Sequence, residues 1–445
     1  MAAPLTRRSI FAQAWPIMLG QTTVPLVGLV DTAVIGRTGD AAALAGVALG
    51  TTIINFVFWT FGFLRMGMTG MTAQAEGAGD GQEVEAMLLR GLALGFGLGL
   101  VLFVAQIALV PLAFALLAGG KGLDAAAHGY VAARFLGAPA SLSVFAINGW
   151  LLGLGRTRAA LVLQIVMNIV NLGLDVLFVW HFGMGARGVG LGTASAEWTA
   201  LATGLVIASR YTRGFGVFRR HRPHFLFARA AVGRLFAVNA DIMVRTLALL
   251  LLFGWFTNAG ARLGDTTLAA NQVLMQFVSV SAFVLDGFAF TAESRIGQAI
   301  GGGSAAALRR AIRLTGEFCL GSGLLFALVI WIVGRPVIDL LTSNPDVRAI
   351  AYALLPLTAI APAVGAPAWL LDGVFIGATR GRALRNAAIL ATALYIATDL
   401  ALRPLGATGV WVALVLSYIY RALTLGAHLP ALLRSADLAQ IEPAT

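Results

Sequence analysis

The sequence predicts an all-α polytopic membrane protein, with twelve transmembrane helices in two pseudo-symmetric six-helix lobes around a central cavity. Three observations carry that prediction. Hydrophobic residues fill 59% of the 445 positions and charged residues only 11%, against about 25% charged in a typical soluble domain. Apolar runs recur from end to end, each long enough to cross a bilayer as a helix of roughly 20 residues. The two halves of the chain also resemble each other.

The apolar segments lie at about 10–36, 43–69, 87–117, 127–153, 158–181, 187–209, 232–257, 265–293, 309–334, 349–376, 383–403 and 408–432, with polar or glycine-rich turns between them. They are continuous and rich in Leu, Ala and Gly rather than alternating apolar and polar, which argues against a β-barrel. The 53 glycines suit helices that pack closely in lipid. Arg7 and Arg8 give the amino terminus a basic start. The apolar run behind them is too long for a signal peptide and lacks a small-residue cleavage site, so none is expected. Cys319 is the single cysteine, which excludes an intrachain disulfide framework.

A net charge of +11 is no nucleic-acid signature here, because the basic residues cluster between apolar runs. One side of an even-numbered bundle collects Arg7, Arg8, Arg156, Arg158, the basic 210–234 stretch, Arg309, Arg310, Arg313, Arg380, Arg382, Arg385 and Arg434. The other side has only scattered cations, such as Arg37, Arg187, Arg262 and Arg403. The positive-inside rule then puts both termini and the central loop in the cytoplasm. The expected domains are a first lobe at 1–209, a basic cytoplasmic loop at 210–231, a second lobe at 232–434 and a cytoplasmic tail at 435–445. A monomer surrounded by lipid is expected, with no nucleic-acid partner.

The repeat is specific. "GDAAALAGVALGTTIINFVFWTFGFLRMGMTGMTAQAEGAG" aligns with "GDTTLAANQVLMQFVSVSAFVLDGFAFTAESRIGQAIGGG" after one deletion, so that Leu44 pairs with Leu268 and Gln74 with Gln298, both 224 apart. Gly77 and Gly79 then match Gly301 and Gly303, and Asp175 matches Asp399. With six spans in each half the repeat is parallel, its axis along the membrane normal, which is a transporter design.

Ionisable residues inside a membrane are expensive and point to function. Asp31 interrupts the first span, and "NIVNLGLDVLF" on the fifth places Asn171 and Asp175 four apart on one helix face, a face that Asn168 continues. Thr193 on the sixth span adds a hydroxyl. Two carboxylates brought close and away from water cannot both stay ionised cheaply, so the set can load and release a proton. The same oxygens can hold a hard cation such as sodium, and a structural hydrogen-bond network is the plainer alternative. In the second half, Asp241 and Arg245 are spaced for an ion pair within one helix. Asp286 and Glu293 share a helix face seven residues apart, where Arg65 on the second span can meet either. This second set is read as substrate-contacting or gating. Pro16 and Pro25 kink the first span, and Met66 and Phe61 are candidates for an adaptable cavity lining. No GxxxxGK[ST] phosphate loop, HExxH metal motif or embedded Ser/His/Asp set is present, so neither an enzyme nor a cofactor is expected.

These residues resemble the multidrug and toxic compound extrusion (MATE) transporters, in particular their DinF-like branch. "LVDTAVIGRTGDAAALAGVALG", "FWTFGFLRMGMTGMTAQA", "ARLGDTTLAANQVL" and "LDGFAFTAE" carry the resemblance, which extends over essentially the whole chain. It implies cation-driven efflux of small organic substrates by alternating access. It also implies a coupling role for the span 1 aspartate, with an Asn and Asp on span 5 and a Thr on span 6, here Asp31, Asn171, Asp175 and Thr193. The DinF-like branch implies protons as the coupling ion, with sodium open. NorM-like members use acids on spans 7 and 10, where this chain has Asp241 and Asp372. Amphipathic, cationic cargo is the leading expectation. A lipid-linked precursor flippase is the alternative, set back by a scarcity of cavity cations.

Overall fold

Hydrocarbon offers no hydrogen bonds, so each spanning segment must satisfy its own backbone, and helices do so. The computed structural model describes residues 5–116, 121–212, 214, 216–221 and 223–441, and among these there is no strand. The first six predicted segments are covered by α1 (Arg7–Gly36), α2 (Ala41–Thr60), α3 (Phe63–Gly77), α4 (Gly81–Leu116), α5 (Lys121–Phe135), α6 (Ala138–Gly153), α7 (Thr157–Val176, continued by a π turn at Leu177–His181) and α8 (Gly185–Tyr211). Two short helices, α9 (Val217–Arg220) and α10 (Pro223–Leu226), lie in the basic stretch. Then come α11 (Arg229–Ala261), α12 (Asp265–Gly301), α13 (Ala305–Leu341), α14 (Pro345–Gly377), α15 (Gly381–Leu402), α16 (Gly406–Gly426) and α17 (Leu429–Ile441).

All twelve predicted segments are therefore helical. By length and hydropathy, nine described stretches are able to cross a membrane, or ten if the bent pair α5–α6 is one span. The nine count Gly381–Leu438, which holds α15, α16 and most of α17, only once, and they omit α8. Two predicted spans are broken rather than continuous. The second is interrupted at Phe61–Gly62, and the fourth bends by 51° between α5 and α6, where Pro139 in the first turn of α6 cannot donate back to α5. Helix starts carry the expected caps. Asp40 Oδ1 accepts from Ala43 N at 2.9 Å, Ser304 Oγ from Ala307 N at 3.2 Å, and Asn344 Oδ1 from Asp346 N at 2.9 Å, each meeting an N–H that the helix cannot. Pro16 and Pro25 both lie inside α1, which continues through them as one helix. Near them the Thr22 and Thr23 hydroxyls donate to the carbonyls of Leu19 and Gly20, at 2.8 and 2.7 Å.

Contacts divide the chain into two compact units. One comprises Leu19–Thr72 and Asp80–Phe236; the other comprises Met1–Met18, Ala73–Gly79 and Ala237–Thr445. The second unit thus takes the start of α1 and the end of α3, two segments that precede the midpoint of the chain. Within it, Gly287 packs on Ala14 and Met18. Glycine allows the other attachment: a Cβ at Gly77 would fall on the backbone of Gln298, and a Cβ at Gly301 on the backbone of Gln74. These four residues are the matched pairs of the sequence repeat, so the contact is reciprocal, as a local two-fold requires. Tyr395, Trp411 and Tyr418 are fully buried in the apolar core of this unit, where Trp411 Nε1 donates to Asn271 Oδ1 at 2.9 Å.

The distribution of side chains is the reverse of a soluble protein's. Large apolar residues such as Ile107, Leu324 and Leu340 are exposed, while Arg134, Asp175, Glu197, Asp372, Asp399 and Arg421 are buried. A surface made for lipid predicts different costs for different glycines. Gly77→Ala should destabilise by about 1–3 kcal/mol through overpacking. Gly97→Ala, with nothing within 4 Å of the added carbon, should be neutral or mildly stabilising. Melting of the detergent-solubilised variants measures the difference.

Candidate functional site

The first unit brings Asp31, Asn171, Asp175 and Thr193 together, all buried. Asn171 and Asp175 stand one turn apart on α7, and Asn171 Nδ2 donates to Asp175 Oδ2 at 2.9 Å and to Thr193 Oγ1 at 3.2 Å. The Thr193 hydroxyl donates in turn to the carbonyl of Val189, at 3.0 Å, on its own helix. Asp31, from α1, lies against both Asp175 and Asn171. One oxygen each of Asp31, Asn171 and Asp175 is buried without a hydrogen-bond partner. Unsatisfied acceptors at that depth are costly, so the set has spare capacity to bind something positive. Gly192 makes room for it, since a Cβ there would fall on Asp175 Oδ1. Asn168 does not join the cluster. It binds Gln164 at 2.9 Å and the Thr23 carbonyl at 3.4 Å, tying α7 to α1.

Sequence reasoning missed the next group. Arg134 on α5 and Glu197 on α8 form a buried ion pair at 2.9 Å, and the Arg134 charge acts on Asp31 and Asp175. Tyr130, one turn before Arg134, is buried beside them and accepts from the Thr51 hydroxyl at 3.1 Å. The signal was available, because Arg134 and Glu197 are intramembrane charges like Asp31.

The second unit treats its charges differently. Asp241 and Arg245, spaced for a pair on one helix, find partners on other helices. Arg385 Nη1 donates to Asp241 Oδ1 at 2.7 Å, and Arg245 donates to Asp372. Arg421 Nη2 reaches the same Asp372 oxygen at 2.6 Å and lies over the Trp369 ring. Asp372 is thus held between two buried guanidiniums. Asp399, the repeat partner of Asp175, is buried and bonded by Trp255 Nε1 at 2.8 Å and by Arg262 at 3.5 Å. Asp286 and buried Glu293 belong to this unit, whereas Arg65, Met66 and Phe61 belong to the first. Phe61 packs near Phe63, with ring centroids 5.8 Å apart. Among the described residues no three His, Cys, Asp or Glu side chains form a metal-holding group.

Membrane-length helices, an internal repeat and buried unsatisfied carboxylates define a polytopic membrane transporter rather than an enzyme. A family model described as MatE matches residues 16–177 and 242–400. The chain belongs to this family. It is 38% identical over 424 residues to DNA damage-inducible protein F of Escherichia coli (strain K12), covering 94% of this chain and 91% of that one. It is 26% identical over 364 residues to multidrug resistance protein MdtK of Edwardsiella ictaluri (strain 93-146), covering 79% and 78% respectively. Among solved structures its fold is similar to the Vibrio cholerae MATE transporter VcmN in the bent form, with a TM-score of 0.86 and 21% identity over 97% of this chain and 98% of that one.

The burial of Asp372 sets a test of the second unit. Asp372→Asn leaves two buried cations without their shared anion and should cost about 3–5 kcal/mol. Asp437→Asn, which removes the exposed partner of Arg309, should cost about 0–1 kcal/mol. Thermal unfolding of both variants in one detergent gives the comparison.

Proposed function

We propose that the chain is a secondary antiporter of the bacterial inner membrane. It exports small amphipathic organic cations in exchange for protons by alternating access, with both termini cytoplasmic. The observation that carries this reading is the Asp31–Asp175 pair, buried with Asn171 and Thr193 and short of hydrogen bonds. Two ionised carboxylates in one dry site repel each other and are poorly solvated, so the pair holds a proton between its two members and releases it when a cation or water enters. Loading Asp31 or Asp175 removes a charge that attracts a cationic cargo. By linkage, proton and cargo then weaken each other's binding. The relatives named for multidrug resistance support export of varied small compounds by analogy, and the acidic site is what favours cations among them.

A sodium ion is the competing coupling ion at the same oxygens. The alternative acidic arrangement in the second half is less suited to a cation, since two guanidiniums already hold Asp372.

Proteoliposome efflux of a fluorescent organic cation, driven separately by a pH gradient and a sodium gradient, tests the reading. Asp31→Asn and Asp175→Asn should each lower pH-driven efflux at least tenfold while leaving the protein folded. Wild-type efflux by Asp31→Asn under the pH gradient would sink the proposal. Efflux driven only by sodium would reassign the ion.

A further inference from the structure

Arg134, whose charge acts on the Asp31–Asp175 pair, is bound by a third buried carboxylate, Glu197, and the antiport reading uses neither. We propose that Arg134 is a counter-ion shared between Glu197 and the aspartate pair, and that Glu197, by holding Arg134 back, sets the pH at which the pair gives up its proton. Both are positioning residues, and the inference rests on the proton-coupled reading of the site.

The charge balance is the starting point. Arg134 and Glu197 are 8% and 5% exposed and are joined through Arg134 Nη1 and Glu197 Oε1 at 2.9 Å. The guanidinium lies 5.6 Å from the centre of the Phe58 ring, so an aromatic face stands where water would otherwise solvate it. Its charge acts on Asp31, Asp175 and Tyr130. Among the described residues, Arg134 is the one cation found to act on either aspartate. On α1 the only other charges are Arg7 and Arg8, at the far end, and Arg37, directly after α1, lies over the Trp180 ring. α2 carries no charged residue and contributes the Thr51 hydroxyl to Tyr130. His128 on α5 is stacked on Phe114. Arg158 is at the start of α7, and Arg187 and Arg210 are at the two ends of α8. The set is therefore three carboxylates against one guanidinium.

That imbalance forces a division. While Arg134 belongs to Glu197, the two form a neutral pair and the aspartates must keep a proton between them. When that proton leaves, Arg134 is the cation in place to offset the new charge, and its attraction is then divided between Glu197 and the aspartates. The acids themselves have little room to move. A Cβ at Gly137 would fall on Glu197 Oε2, and one at Gly192 on Asp175 Oδ1, so each carboxylate fills the space its neighbouring glycine leaves. The long, planar Arg134 side chain is the mobile member, and its fork can serve two carboxylates.

A merely structural ion pair would brace α5 against α8 and leave the proton chemistry alone, and the two roles separate in a pH profile. Infrared titration of the purified full-length chain in lipid vesicles follows the C=O stretch of protonated carboxyl groups, with Asp31→Asn and Asp175→Asn assigning the band. In Glu197→Gln, Arg134 is released to the aspartates, and the band should vanish at a pH lower than in wild type by about one unit or more. The neutral double variant Arg134→Gln with Glu197→Gln leaves no uncompensated charge and so protects folding. It deprives the aspartates of their cation, and its band should persist to higher pH than in wild type. Opposite shifts in the two variants are the expected result. Wild-type profiles in both, with only the melting temperature changed, would overturn the proposal and leave a structural brace. If Asp31→Asn exports by the pH gradient as wild type does, the antiport reading itself is wrong. If that variant is inactive while Glu197→Gln titrates as wild type, only the role given to Arg134 is wrong.

Discussion

A carboxylate that cannot reach water must be compensated where it stands, and the arrangement of this bundle's interior follows from that constraint. Three solutions are visible. Asp372 is held by two guanidiniums, Arg245 and Arg421. Asp399 is held by an indole and an arginine. Asp31 and Asp175 have each other and the Asn171 amide, which Thr193 also engages, while the guanidinium that acts on them, Arg134, is bonded to Glu197. The first two are closed arrangements in which charge is cancelled by fixed partners. Only the third leaves buried acceptors unsatisfied, and it is the one where binding something positive relieves a cost rather than adding one.

Glycine makes these arrangements possible. Lipid gives helices no hydrophobic reason to associate, so they hold together through close packing and small residues. In this chain glycines also stand opposite acids. Gly192 opens space for Asp175, Gly137 for Glu197, and Gly381 abuts Asp241. The same residue type thus supports both the packing of the bundle and the placing of its charges.

Much of the fold was legible because crossing a bilayer demands a long apolar run, and that demand is written in consecutive residues. Asp31, Asn171, Asp175 and Thr193 were legible because polar groups stand out in such runs. What escaped depends on contacts between distant segments. Arg134 and Glu197 are 63 residues apart, so no spacing rule joins them. The four-residue spacing of Asp241 and Arg245 allowed a pair on one helix, but long side chains took partners on other helices instead. The bend between α5 and α6 had a local cause in Pro139, yet hydropathy averaged over a window hides a break that short. The composition of the contact units, with the start of α1 joined to the C-terminal half, has no trace in a linear reading.

Asp175 and Asp399 began as copies of one position. Duplication offers a chain two versions of the same acid, and divergence here has kept one open and locked the other behind Trp255 and Arg262. The duplicated acid has come to serve fit, fastened across the bundle by an indole and an arginine, while its counterpart in the first half keeps one oxygen without a partner.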